Sequence, residues 1–128
     1  MTSLLYSGSL ARFRNIRFIF LHAGGTIPMV TGRMAQLGPF FDIDKKVPTG
    51  VEYELKRLYY EIAASANRSA MAALMNLVRI SQILFGSDYP FVPVEVTTNG
   101  MSTLGLSASV VRAISRENAG ALLSRLKA

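Results

Sequence analysis

Residues 82–91, QILFGSDYPF, carry a short apolar run, Ile83, Leu84 and Phe85, that stops at a glycine, a hydroxyl, a carboxylate and an aromatic residue followed by proline. The run is too short for a helix and is closed by Gly86 and Pro90, which predicts a buried strand. Asp88 then stands at the C-terminal mouth of that strand. In parallel α/β architectures ligands bind at this mouth, because its loops can vary while the strands beneath stay packed. Residues 17–25, RFIFLHAGG, repeat the grammar: a buried apolar run ends in one polar side chain, His22, just before Ala23 and the pair Gly24 and Gly25.

Working outward, Leu4, Leu5, Leu10 and Phe13 recur at helical spacing, so residues 3–13 read as a helix with Gly8 as a weak point. Asn15 turns the chain into a strand over 16–21, and Pro28 fits the first turn of a helix running to about Gln36, stopped by Gly38 and Pro39. Residues 40–50 read as an exposed loop, 51–57 as a short helix, and 58–63, LYYEIA, as a strand rich in β-forming Tyr and Ile. Asn67 is placed to cap a helix over 70–78 whose core face is Met71, Leu74, Met75 and Leu77. Residues 91–105, with Pro93, Asn99 and Gly100, read as irregular; Ser107 caps a helix over 108–116, and a last helix covers 118–126. Strands alternating with helices imply parallel pairing through right-handed crossovers. The expected class is α/β, with a small sheet whose edges stand open and which is part of a larger architecture.

At 128 residues the chain has the length of one domain with a modest core, and half of it is hydrophobic. Such an oily composition points to surface that something else covers. No run approaches the roughly 18 apolar residues of a membrane span, and the start, MTSLLYSGSLARFRNIR, has no basic stretch ahead of an apolar one. The expectation is a cytoplasmic protein without a membrane. The absence of cysteine excludes disulfides and thiolate metal sites, and the single histidine leaves any metal site built from these residues alone poor in nitrogen ligands. The formal charge of +6 is spread over separated basic residues, with no interleaved aromatic stacking motif, so no nucleic-acid partner is expected.

Taken residue by residue, the pattern leaves alternatives open. A lone histidine after an apolar run is more often a satisfied structural residue than a reactive one; at a strand mouth an imidazole can also titrate near neutral pH and pass a proton. Asp88 can cap a turn, the commonest use of an Asp before Tyr-Pro, or serve as a hard metal ligand. Gly24 and Gly25 lack the further glycines and the lysine of a phosphate loop and read as a sharp turn. Tyr89, Pro90 and Phe91 read as rim packing. Tyr59 and Tyr60 alternate across a strand, one to each face.

Taken together, FLHAGGTIPMVTGR (20–33), LYYEIAASAN (58–67), ILFGSDYPFVPVE (83–95) and ENAGALLSRL (117–126) resemble the C-terminal portion of the amidohydrolase-related metal-dependent enzymes, in the branch of the aminocarboxymuconate-semialdehyde, γ-resorcylate and methylsalicylate decarboxylases. The resemblance covers nearly the whole chain, 1–128. It implies part of a TIM (β/α) barrel, about the last three strands and their helices, with 17–21, 58–63 and 82–87 as the sixth, seventh and eighth strands. It also implies a divalent metal, Zn or Mn, at the C-terminal face. In that likeness His22 matches the catalytic histidine beside the metal, and Asp88 matches the aspartate that binds the metal, which implies a metal-binding or proton-transfer role. The family's His-x-His pair and its strand-five histidine have no counterpart, as expected of a chain that begins after them. Where relatives often carry Asp-Thr-Ala, this chain has Glu61, Ile62 and Ala63, and no role is transferred there.

The activity implied is non-oxidative decarboxylation of an aromatic or unsaturated carboxylic acid, with these residues inactive alone. Hydrolysis of an amide, lactone or ester by the same kind of site is the enzymatic rival. A non-catalytic remnant that associates with a partner is the rival of another class. Exposed barrel strands further imply a homo-oligomer or self-association.

Overall fold

The computed structural model describes residues 1–123. Its centre is a parallel sheet of strands β1 (Ile19–Phe20), β2 (Tyr59–Glu61) and β3 (Ile83–Leu84), in the order β1-β2-β3. Ile19 and Phe20 pair with Tyr59 and Tyr60, and Tyr60 and Glu61 pair with Ile83 and Leu84. Strands therefore form where the apolar runs predict them and run parallel as the alternation demands, although each is shorter than its run.

Chain order supplies the helical cover: α1 (Thr2–Tyr6), α2 (Ser9–Arg12), α3 (Ile27–Leu37), α4 (Ile43–Lys46), α5 (Val51–Lys56), α6 (Arg68–Leu77), α7 (Val94–Ser102), α8 (Ala108–Arg112) and α9 (Asn118–Leu122). The single N-terminal helix expected over 3–13 is two helices, broken at Gly8, which adopts φ +75°. A side chain there would place its Cβ 2.9 Å from the Lys46 carbonyl oxygen, so glycine is needed for both conformation and space. The expected loop over 40–50 contains α4, because Ile43 and Val47 are buried in the core although Phe40 and Phe41 stay exposed.

Residues 91–105 are not irregular. They contain α7, whose Thr97 and Met101, one turn apart, are both buried. Its β-branched residues, Asn99 and Gly100 give it weak intrinsic propensity, and tertiary packing overrides that preference. Gly100 marks close approach rather than a turn: a Cβ at this position would fall 2.3 Å from the Ala66 carbonyl oxygen. In α6 the Asn67 side chain accepts the Ala70 N–H as expected. Met71, Leu74 and Leu77 are buried, while Met75, at the margin of their arc, is partly exposed.

Alternation along the strands divides the sheet into two faces. Tyr60, Ile62 and Ile83 join the helical core, with Phe20 packed against it. On the other face Ile19 is 41% and Leu21 63% exposed, so this side is incompletely covered by the described residues. The two sheet margins also differ. Beside β3 the C-terminal helices form a single run, 108–122, with a π-helical turn at Ala113–Glu117. From it Ile114 accepts the Phe85 N–H at 3.0 Å, and Asn118 Nδ2 donates to the carbonyls of Ile80 (2.7 Å) and Ile83 (2.8 Å). The margin expected to be open is thus covered at β3. Residues 124–126 of the expected last helix lie outside the described residues.

One buried ion-pair network ties the N-terminal helices to this framework. Glu54, with a fully buried side chain, accepts from Arg14 at 2.8 Å, from Thr49 at 2.6 Å and from Arg57 at 2.9 Å. Arg57 also donates to the carbonyls of Leu10 and Arg14. Burial alone would raise the Glu54 carboxyl, but the Thr49 and Arg57 hydrogen bonds and the charges of Arg14 and Arg57 outweigh it and hold it below the ordinary glutamate value. A depressed folded-state value contributes stability that is complete above the unfolded glutamate value and is lost as pH falls through the folded one. Glu54→Gln is expected to destabilise the chain by roughly 2–3 kcal/mol at neutral pH, less than a fully buried pair costs because both guanidinium groups retain access to water. Urea unfolding should further show a smaller stability loss on acidification in E54Q than in the wild type; equal acid sensitivity would contradict the network's role.

Candidate functional site

The C-terminal ends of the three strands lie along one rim of the sheet, and the backbone there is unusual. Among the described residues, left-handed conformations at non-glycine positions occur at His22 (φ 53°) and Ala23 (φ 55°) after β1, at Ala64 (φ 51°) after β2, at Asp88 (φ 63°) after β3, and otherwise at Asp42. Such conformations are costly for residues with a Cβ and persist where surrounding bonds over-determine them. Gly24 and Gly25 continue the turn with φ +76° and +63°, as the glycine pair implies. Gly24 also makes room for the Tyr60 ring, which a Cβ would approach to 2.8 Å.

His22 is half-buried at the end of β1. Its Nδ1 lies 2.9 Å from the Ala63 carbonyl oxygen. A carbonyl only accepts, so Nδ1 carries the proton in this contact, and in the neutral ring Nε2 is left as the basic nitrogen. Asp88 ends the corresponding turn after β3; its carbonyl accepts the N–H groups of Phe91 (2.9 Å) and Val92 (3.1 Å), and the residue is exposed. The sequence therefore places both candidates on the same rim, on the strands flanking β2. Tyr89 and Phe91 are exposed, at 76% and 86%, and do not pack as a rim among the described residues, because the turn at Asp88 carries them outward.

Between them sits Glu61, to which the sequence pattern gave no role. Its carboxylate is buried and accepts the His22 main-chain N–H at 2.6 Å and the Ala63 N–H at 2.8 Å. Gly86, in the loop after β3, leaves the space it occupies: a Cβ on Gly86 would lie 1.7 Å from Glu61 Oε2. The available signal was the acidic residue itself, since a carboxylate inside an otherwise apolar strand must find donors. Tyr60, on the opposite face, is spent on structure: burial pushes its phenol upward, and the hydroxyl donates to the Leu55 carbonyl at 3.0 Å.

The described residues contain no group of three or more His, Asp or Glu side chains placed to hold a metal ion. Catalytic zinc centres draw three protein ligands. His22 and Asp88 offer two donor groups and Glu61 is already engaged, so these residues do not fit a complete metal site by themselves. A cavity of about 520 Å³ lined by Lys56, Asn76, Arg79 and Gln82 lies at the opposite, N-terminal end of the strands, away from the rim. No helix of the described residues is long and apolar enough to cross a membrane.

A parallel sheet under helices, with its polar candidates on the C-terminal rim, agrees with a family model described as amidohydrolase that matches residues 1–125. The chain belongs to the amidohydrolase family. Among curated relatives, a 6-methylsalicylic acid decarboxylase of Aspergillus aculeatus is 36% identical over 94 residues, 70% of this chain and 28% of that protein. A 6-methylsalicylic acid decarboxylase of Penicillium expansum is 31% identical over 128 residues, 97% of this chain and 40% of that protein. In solved structures, a dihydroxybenzoic acid decarboxylase of Polaromonas with bound manganese and the inhibitor 2-nitroresorcinol superposes with a TM-score of 0.79 at 18% identity, over 98% of this chain and 39% of that one, a likeness of fold. The amidohydrolase segment thus spans well under half the length of these curated relatives.

Because the chain has a single histidine, its imidazole is directly observable. Long-range ¹H–¹⁵N correlation on the neutral ring is expected to show the proton on Nδ1. A ring protonated mainly on Nε2 would contradict the Ala63 contact.

Proposed function

We propose that these residues form the last three β/α units of an amidohydrolase-type TIM barrel whose reaction is the non-oxidative decarboxylation of an aromatic carboxylic acid. The observation that carries this reading is that His22 and Asp88, remote in sequence, leave the same ends of the two strands flanking β2; the decarboxylase relatives add the reaction class. In this reading His22 relays a proton: its basic Nε2 takes one up from solvent, and the imidazolium so formed gives it to the ring carbon bearing the carboxylate, which returns the imidazole to its neutral form. The bond from that carbon to the carboxylate then breaks, its electron pair returns to the ring, and carbon dioxide leaves. A half-buried imidazole held at Nδ1 presents one defined nitrogen for that transfer. Asp88 contributes one ligand of a divalent ion, zinc or manganese, whose remaining ligands come from outside these residues. The isolated chain is therefore inactive.

In an intact barrel carrying these residues, His22→Asn is expected to lower carbon dioxide release by about 10²-fold or more, as loss of a general acid does, with metal content near normal. Asp88→Ala is expected to lower both. Unaltered release in H22N rules the proton role out, and substrate turnover without carbon dioxide would favour an amide, lactone or ester hydrolase instead.

The incompletely covered sheet face, with Ile19 and Leu21, would lie inside such a barrel. Left without that cover, apolar surface drives self-association. Sedimentation of the purified chain is accordingly expected to show oligomers whose mass grows with concentration; a clean monomer at all concentrations would count against this.

A further inference from the structure

We propose that Glu61 is the positioning residue of His22, fixing which imidazole nitrogen carries the proton by locking the turn after β1 to the turn after β2. This rests on reading His22 as the proton-handling group and names what makes it competent.

The bonds form a closed circuit. The His22 N–H donates to Glu61 Oε1 (2.6 Å), the Ala63 N–H donates to Glu61 Oε2 (2.8 Å), and the Ala63 carbonyl receives His22 Nδ1 (2.9 Å). Each link needs the others. The bond to the His22 N–H sits at a residue with φ 53°, a left-handed conformation that costs a residue with a Cβ energy and that this bond helps to hold. The bond to the Ala63 N–H orients the same residue whose carbonyl selects Nδ1, just before Ala64 turns the chain at φ 51°. Glu61 is buried, and among the described residues its carboxylate is met by these two main-chain donors rather than a cation. The third strand contributes by omission, since Gly86 leaves the carboxylate its space. Two strand ends are thus joined through one side chain for which the third makes room, and its output is the state of a ring it touches only through the backbone.

The test uses two variants of the full ¹⁵N-labelled chain. Glu61→Gln keeps the shape but replaces one acceptor by a donor, breaking one of the two main-chain bonds. Gly86→Ala keeps Glu61 and fills the space its carboxylate occupies. In both, the neutral imidazole is expected to move about tenfold from the Nδ1-protonated towards the Nε2-protonated form, the scale of losing one hydrogen bond. A folded variant, by its amide dispersion, that retains the wild-type tautomer ratio overturns the proposal. If neither variant folds, the His22 amide of the ¹³C,¹⁵N-labelled wild type decides: a scalar coupling across the hydrogen bond to the Glu61 carboxyl carbon is expected, and its absence overturns the proposal. Failure here leaves the decarboxylation reading standing, because H22N and carbon dioxide release test that separately.

Discussion

A carboxylate with little access to water has to be met by donors, and Glu61 meets them in the main chain of its own turn and of the neighbouring strand's turn. The rest of the rim follows from that requirement. The His22 main chain is drawn into a left-handed turn, Ala63 is oriented so that its carbonyl receives the imidazole, and the loop after the third strand carries a glycine where any side chain would collide. Neutral-backbone donors satisfy an anion without importing a second charge, so no arginine or lysine need be buried beside His22. The sheet below supplies the fixed spacing: parallel register places Glu61 beside Leu84 and brings all three strand ends to one side.

The molecule treats its two buried glutamates in opposite ways. Glu54 is surrounded by guanidinium groups and a threonine hydroxyl and works as a structural tie, far along the chain from the N-terminal helices it secures. Glu61 is held by peptide N–H groups at the rim. Charge compensation in the first case stabilises an assembly of helices. In the second, directionality matters more than charge, because each N–H fixes the orientation of a particular turn.

Much of this architecture could be read from the chain itself. Short apolar runs closed by glycine gave the strands around Phe20 and Ile83, β-forming Tyr and Ile gave the one around Tyr60, and the position of His22 and Asp88 at the ends of two of them followed from strand polarity alone. What escaped was long-range. Gly100 reads as a helix breaker until Ala66 is seen pressing against it, and Ile43 and Val47 read as loop residues until the core closes over them. Glu61 was the largest omission at the site. Its partners are main-chain N–H groups, which every residue possesses, so no spacing of side chains announces them.

The polar groups on the outer margin of β3 are already taken, Phe85 N–H by the Ile114 carbonyl and Ile83 carbonyl by Asn118. A strand arriving from that direction must evict a helix, exchanging bonds already made, whereas one arriving beside β1 meets no such occupant among the described residues. Closure of the proposed barrel is consequently a simple addition at β1 and an exchange of partners at β3.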